Sequence, residues 1–364
     1  MSTRNNSSLP PRNGQRAAKK QPAKAAPRKK SGKKAKPRGF FAKMARSLLL
    51  LLIVAILGVL GYGGYLYWKL DQGLLDTGVD KPVPAGQSAT VKPLTMLLLG
   101  TDSRPKHVSY LTDVIMVAAL NPETKSATVA SLPRDTYVEL SGYKKTKINE
   151  FYSRFKGKEK TSGITAEEEM KTMMGKYLDI EVDYATVLDF QGFRDVVDKL
   201  GGVDVNVSAD MCYKDSVDGT NINLKQGPAE LDGDKALDYV RYRKSNCKPK
   251  TKASDDFDRN KRQNEVLNSM LSQMQSFGGA VKIGGVLDAM NDNMKTDIEN
   301  EQLKDMIATY WNISKENVEF KPVTGTWRSP YVYINETELA EARTSLQNRI
   351  AGISGAAATA DSQN

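Results

Sequence analysis

The chain has 364 residues, 40% of them hydrophobic, with two cysteines and a single histidine, His107. That length suits one large domain or two ordinary ones. One histidine argues against a Ser-His-Asp triad, a His-rich zinc site or a histidine relay. The net charge of +10 is unevenly spread: residues 1–46 hold 15 Lys and Arg and no acid, leaving 38 bases against 43 acids beyond them.

Residues 1–46, rich in Lys, Pro, Ala and Ser, are predicted to be a disordered basic tail. Residues 47–68 (SLLLLLIVAILGVLGYGGYLYW) follow, the last 21 without a charge. About 20 apolar residues span a bilayer as a helix. Phe40 and Phe41 near one end and Tyr62, Tyr65, Tyr67 and Trp68 at the other suit rings at headgroup level. The positive-inside rule predicts a single-pass cell-membrane protein with a cytoplasmic N-terminus and an extracellular body. A cleaved signal peptide is disfavoured by the long basic lead, the length of the apolar run and the lack of an A-x-A site. The basic tail reads as a topology signal attracted to anionic lipid, not as a nucleic-acid arm.

Residues 69–92 (with PVPAGQS) read as a linker. The apolar run LTMLLLG predicts a buried strand, and DVIMVAALN and SATVASLP, joined by the turn-like PETK, predict a hairpin. GITAEEEMKTMMGKYL has the 3.6-residue period of an amphipathic helix, with Met170, Met173 and Met174 on its apolar side. DYATVLDF, QGFRDVVDKLGG and VDVNVS then predict strand, helix and strand. Helices are expected in ELDGDKALDYVRYR, DDFDRNKRQNEVLNSMLSQMQSF and LDAMNDNMKTDIENEQLKDMIATYW, before a last strand, NVEFKPV. Strands mixed with helices predict an α/β layered domain over residues 93–350 with one core, and 351–364 as a frayed tail. Cys212 and Cys247 both fall in the outer part, where an oxidising exterior permits a bridge.

The chemistry available outside the membrane is carboxylates and guanidiniums. Arg241 and Arg243 stand two apart in DYVRYR and would point the same way from an extended backbone. In DDFDRNKRQNEV, Arg259 and Gln263 share a helix face, with Arg262 beside them and Asp255, Asp256 and Asp258 at the N-terminal end. Asp102 and Arg104 follow the first strand, Asp113 opens the second, and Arg134 and Asp135 follow the third. Arginine forks clamp phosphate oxygens, and carboxylates bind hard cations such as Mg²⁺. The rival reading is a set of salt bridges on a solvated face.

LLLGTDSR, TDVIMVAALNP, SLPRDTYV, KINEFY, DFQGFRDVVDKLGGVDV, LDGDKALDYVRYR and DDFDRNKRQNEVL, in this order behind one predicted anchor, resemble the LytR-CpsA-Psr family. The resemblance is clear from about residue 94 to 267 and looser to about 350. It implies an LCP-type α-β-α domain, a mixed central sheet flanked by helices, behind a single N-terminal transmembrane helix. It further implies a Gram-positive, extracytoplasmic phosphotransferase that moves a glycopolymer from an undecaprenyl-pyrophosphate carrier to the C6 hydroxyl of N-acetylmuramic acid in peptidoglycan. By that resemblance Asp102 and Asp113 hold Mg²⁺ (or Mn²⁺), and Arg134, Arg241, Arg243, Arg259 and Gln263 bind the pyrophosphate. Asp256 is the base or orients an arginine, and Arg134 also serves catalysis. The family usually has Arg-Ser-Asp or Arg-Thr-Asp where this chain has Leu111, Thr112 and Asp113; the nearby cations are Arg104, Lys106 and His107. The Met170, Met173 and Met174 stripe fits a lipid tunnel or ordinary core. A pyrophosphohydrolase and a non-catalytic wall-polymer binding or regulatory protein are the other classes these residues suit.

Overall fold

The computed structural model describes residues 78–353 other than 85, 103–109, 217–218, 255, 277–278 and 291–292. At 256, 257, 279–281, 283, 284 and 290 it describes the backbone alone. The expected basic tail and the spanning segment 47–68 lie outside the described residues, as do Arg104, Lys106 and His107. Among the described residues no helix is long and apolar enough to cross a membrane.

Three antiparallel strands begin the fold: β1 (Leu94–Thr101), β2 (Thr112–Asn121) and β3 (Ser126–Ser131). A short pair, β4 (Tyr137–Val138) and β5 (Thr146–Lys147), precedes α1 (Glu150–Lys156), α2 (Glu159–Ser162) and α3 (Ala166–Leu178). The α3 start follows from its sequence: Thr165 accepts from the Glu168 amide, and Glu167, Glu168 and Glu169 fill the first turn. Next come β6 (Tyr184–Asp189) and α4 (Phe190–Leu200), which Asp189 caps and Gly201 ends with φ 85°. The chain then forms β7 (Val203–Val207), β8 (Met211–Lys214), β9 (Asn221–Leu224) and β10 (Gly227–Leu231), followed by α5 (Gly233–Arg241). The remainder is α6 (Asp256–Gln275), α7 (Gly279–Met290), β11 (Met294–Thr296), α8 (Asn300–Tyr310), β12 (Val318–Pro322), β13 (Gly325–Arg328), β14 (Tyr331–Ile334) and α9 (Glu336–Ile350).

The central sheet has the order β11-β6-β1-β2-β3-β12. Strand β6 runs parallel to β1, and β12 parallel to β3, so the sheet is mixed as expected. One face carries Leu97, Leu99, Ile115 and Val117, packed against α3, Phe151 of α1, and Leu339, Ala342 and Leu346 of α9. Met170, Met173 and Met174 are fully buried in this cluster, so the methionine stripe is core. Burying such a side chain is worth about 1.5–3 kcal/mol.

The expectation of one core needs correction. A second large cluster joins Val203, Val205 and Val207 of β7 with Leu224, Leu231, Leu237, Tyr239, Tyr242 and Val266. The four short strands β7 to β10 pair in twos outside the central sheet, and their apolar residues are covered by α4, α5 and α6. The linker is also shorter than expected. Val79 bridges to Glu299, the Ala89 amide donates to Gln302, and Ser88 donates to Asp305, so from Gly78 the chain is docked on α8.

Candidate active site

Strands β1, β3, β6 and β12 all end, and β2 begins, at one edge of the central sheet. Asp102 is the first residue past β1. In the β1–β2 ladder Gly100 faces Val114 and Thr101 faces Thr112, which leaves Asp113 as an extra residue, a bulge. A bulge bends its strand and re-aims a side chain. Here the Asp113 carboxylate takes an ion pair with the Arg134 guanidinium, which stands three residues beyond β3. Nε of Arg134 is also 3.6 Å from Asp135. The second pair stands at the end of the neighbouring strand β1: Nη2 of Arg241 lies 3.9 Å from Asp102 Oδ2. The Arg241 guanidinium stands 5.0 Å from the ring centre of Phe190, the first residue of α4. All four side chains keep 23–26% of their surface in solvent, so a ligand can reach them.

Arg241 is the last residue of α5, not part of an extended segment as DYVRYR suggested. Tyr242 turns the chain with φ −56° and ψ 131° and buries its ring in the second core. Arg243 follows in the loop and is exposed. Arg259 is buried on α6, with Gln263 half-buried one turn later on the same helix. Asp256 opens α6, and its side chain lies outside the described residues.

The loop between α5 and α6 is held at several points. Cys212 of β8 and Cys247 form a disulfide with their Cα atoms 5.9 Å apart. Asn246 donates to the Lys214 carbonyl at 2.5 Å and accepts from the Lys214 amide at 2.9 Å. Thr251 accepts from the Cys212 amide, and the Tyr242 hydroxyl donates to the Lys252 carbonyl at 2.7 Å. Arg262 is buried, unlike a residue on the solvated face of the rival reading. It donates to the Tyr242 carbonyl at 2.5 Å and to Ser254 at 3.0 Å. The loop thus fixes Arg241 on one side and the start of α6 on the other.

Two residues of this site were not singled out by sequence reasoning. Phe190 offers its ring to Arg241. Asp238, one helical turn before Arg241, lines a cavity of about 320 Å³ with Phe190, Arg194, Asp234 and Arg241. Burial pushes its carboxyl up to about 6; Arg241 opposes the shift and Asp234 adds to it. Its place in DYVRYR was the available signal. Leu111 is 42% exposed beside Thr112.

Among the described residues no three Asp, Glu, His or Cys side chains gather as a self-sufficient metal site. Two carboxylates at adjacent strand ends do fit Mg²⁺, which one or two carboxylates often hold while phosphate oxygens and water complete the shell.

The LytR_cpsA_psr family model matches residues 72–348. The chain belongs to the LytR-CpsA-Psr family. This LytR-CpsA-Psr protein is 30% identical over 328 residues to TagV of Bacillus subtilis (strain 168), named a polyisoprenyl-teichoic acid–peptidoglycan teichoic acid transferase; the match covers 85% of this chain and 79% of TagV. The crystal structure of B. subtilis TagV superposes with a TM-score of 0.55 at 29% identity, covering 71% of this chain and 97% of that one. TagT (YwtF) with bound octaprenyl pyrophosphate lipid gives a TM-score of 0.50 at 26% identity, covering 74% and 94%. The mixed sheet flanked by helices is the architecture these LytR-CpsA-Psr structures share with it.

Proposed function

We propose that the protein is a phosphotransferase that moves a glycopolymer from undecaprenyl pyrophosphate to peptidoglycan. The observation that carries this is the pair of accessible carboxylate–arginine contacts, Asp102 with Arg241 and Asp113 with Arg134, side by side at one sheet edge. Guanidiniums in that position can exchange a carboxylate for phosphate oxygens, to which they bind in bidentate fashion. The sheet face next to them supports a lipid donor. Met96, Leu98, Val114 and Leu188 are only half-buried there, although β1, β2 and β6 are inner strands. The relatives' names and the octaprenyl pyrophosphate held by TagT support the same donor class.

In this reading Asp102 and Asp113 would hold Mg²⁺ (or Mn²⁺), which when bound neutralises charge on the pyrophosphate oxygens. Arg134, Arg241 and Arg259 bind the pyrophosphate, with Gln263 donating beside them and Arg243 assisting from the loop. The acceptor is the C6 hydroxyl of N-acetylmuramic acid. Its oxygen bonds to the sugar-linked phosphorus as the bond to the bridging oxygen breaks, giving a phosphodiester and undecaprenyl phosphate. The hydroxyl proton passes to the Asp256 carboxylate. Little covalent chemistry falls to the protein; positioning and charge stabilisation do most of the work. The segment 47–68 anchors the enzyme in the membrane with its body outside.

The test is product analysis with a labelled lipid-linked oligosaccharide, with and without peptidoglycan. Label joined to peptidoglycan is the expected result. Released sugar phosphate would mark a hydrolase, and neither product a binding protein; either overturns the proposal.

A further inference from the structure

Strands β13 and β14 form a hairpin outside the central sheet whose rings face solvent. Trp327 is 53% exposed and Tyr333 39% exposed, unusual for large apolar side chains grouped together. Tyr331 and Tyr333 each pack on Tyr137, with ring centres 5.1 and 5.4 Å away. Arg328 lies 5.4 Å from the Tyr333 ring and Lys147 5.8 Å from the Trp327 ring. Gly325 starts the hairpin because a Cβ there would meet the Tyr333 carbonyl oxygen at 2.4 Å.

The hairpin joins the candidate active site. The Val323 amide donates to Ser131 at the end of β3, and the Val332 amide donates to the Asp135 carbonyl at 2.8 Å. A chain of side chains also runs inward: Trp327 to Lys147, Lys147 to Asp135 at 2.8 Å, and Asp135 to Arg134. In the sheet order, Phe190, Asp102 and Arg241 occupy the β6–β1 side of the edge, and Arg134 and the hairpin occupy the β3–β12 side.

We propose that Trp327, Tyr331, Tyr333 and Tyr137 form a platform on which the glycan strand of the acceptor peptidoglycan stacks. This rests on the reading of the protein as a transferase. A pyranose presents a face of C–H groups that packs on an aromatic ring by dispersion and weak C–H contacts while its hydroxyls stay hydrated. Phosphoryl transfer places the attacking and leaving oxygens roughly in line. With the donor pyrophosphate held between Arg241 and Arg134, the hairpin continues the edge beyond Arg134, so the acceptor enters from the β3–β12 side, where the platform stands. The platform suits uncharged sugar rings better than a polyanionic polymer, because its nearby lysines are already paired and Arg328 lies against the Tyr333 ring. Lys147 binds Asp135, and Lys145 binds Glu139.

The experiment is co-sedimentation of the full-length protein, in detergent, with purified sacculi stripped of covalent polymer. Binding of a labelled lipid pyrophosphate is measured in parallel. Trp327→Ala with Tyr333→Ala should weaken sacculus binding at least tenfold and leave lipid binding unchanged, while Trp327→Phe keeps most of it. Peptide-free glycan strands should compete for the wild type, and free stem peptides or soluble wall teichoic acid should not. Trp327→Ser, at a position more than half exposed, carries the test if the double variant loses its thermal transition. Wild-type sacculus binding in these variants would overturn the proposal. So would failure of the wild-type protein to sediment with sacculi, or a loss confined to the lipid donor. Sedimentation is read without any transfer step, so its outcome stands apart from the transferase assay.

Discussion

Arg262 donates from Nη2 to the main-chain carbonyl of Tyr242, 2.5 Å away and twenty residues earlier. The same nitrogen reaches Ser254 Oγ, and the guanidinium stands 5.7 Å from the Tyr239 ring. A buried cation thereby locks the residue that follows Arg241 to the helix that carries Arg259. Arg262 is a positioning residue for the arginines beside it.

Arg262→Ala should therefore be costly. Hydrogen bonds from a charged donor are worth roughly 1.5–3 kcal/mol, and two are lost together with ring packing. Denaturant melts should show a loss of at least that order, with turnover falling alongside. Arg262→Lys should recover stability only in part, because a point charge cannot serve both acceptors from a rigid fork. A melt equal to wild type in Arg262→Ala would show the contact to be idle.

The disulfide makes a second prediction. Cys212 and Cys247 are 35 residues apart in sequence, and a loop of that size stabilises by roughly 3–4 kcal/mol on the chain-entropy model. Intact mass after thiol alkylation under non-reducing conditions should show no modified cysteine. The Cys212→Ser, Cys247→Ser variant should lose stability of that order in urea melts. Two alkylated thiols in freshly purified protein would contradict the bond.

Asp238 sets a pH dependence with a definite sign. Its carboxyl titrates near 6 in the folded chain against 3.8 as the reference value, chiefly through burial. Between about pH 4 and 6 the native state therefore holds a proton that the unfolded state has released. This group favours folding at low pH, and that contribution is lost as pH rises through about 6. Asp238→Asn should be more stable than wild type at pH 7, with the gap closing toward pH 4. Urea melts at pH 4, 5, 6 and 7 check this; a gap constant across them contradicts it.

Much of the central sheet was legible because its physics is local. The apolar runs of β1, β2 and β3 exceed what a loop can leave exposed, and PETK is a turn by composition. Asp102 and Arg134 were recognisable as charges placed just beyond such runs, and Asp113 as one at the start of the second. What stayed hidden depends on distant partners. The burial of Arg262 is decided by a backbone carbonyl twenty residues away, which no helix periodicity reveals. V-R-Y-R alternates like a strand, yet Tyr242 turns because its ring is taken into the second core. The β13–β14 hairpin has an exposed first strand and so lacks the buried alternation that marks a strand in sequence. The polar helix α9 shows Leu339, Ala342 and Leu346, with Ile350 partly buried at its end, to the core, too thin a stripe to stand out.

The most direct measurement is the rate of glycopolymer transfer, and donor binding, in Asp113→Asn, Arg134→Ala, Arg241→Ala and Arg241→Lys, each with its fold confirmed by thermal melts. An arginine that grips a pyrophosphate makes charge-assisted bonds worth roughly 1.5–3 kcal/mol, equivalent to about a ten- to hundredfold change. The Ala variants should lose transfer by that factor, Lys should restore little, and Asp113→Asn should lose Mg²⁺-dependent turnover. Wild-type rates from folded Arg134→Ala and Arg241→Ala proteins would make these pairs surface salt bridges and contradict the site.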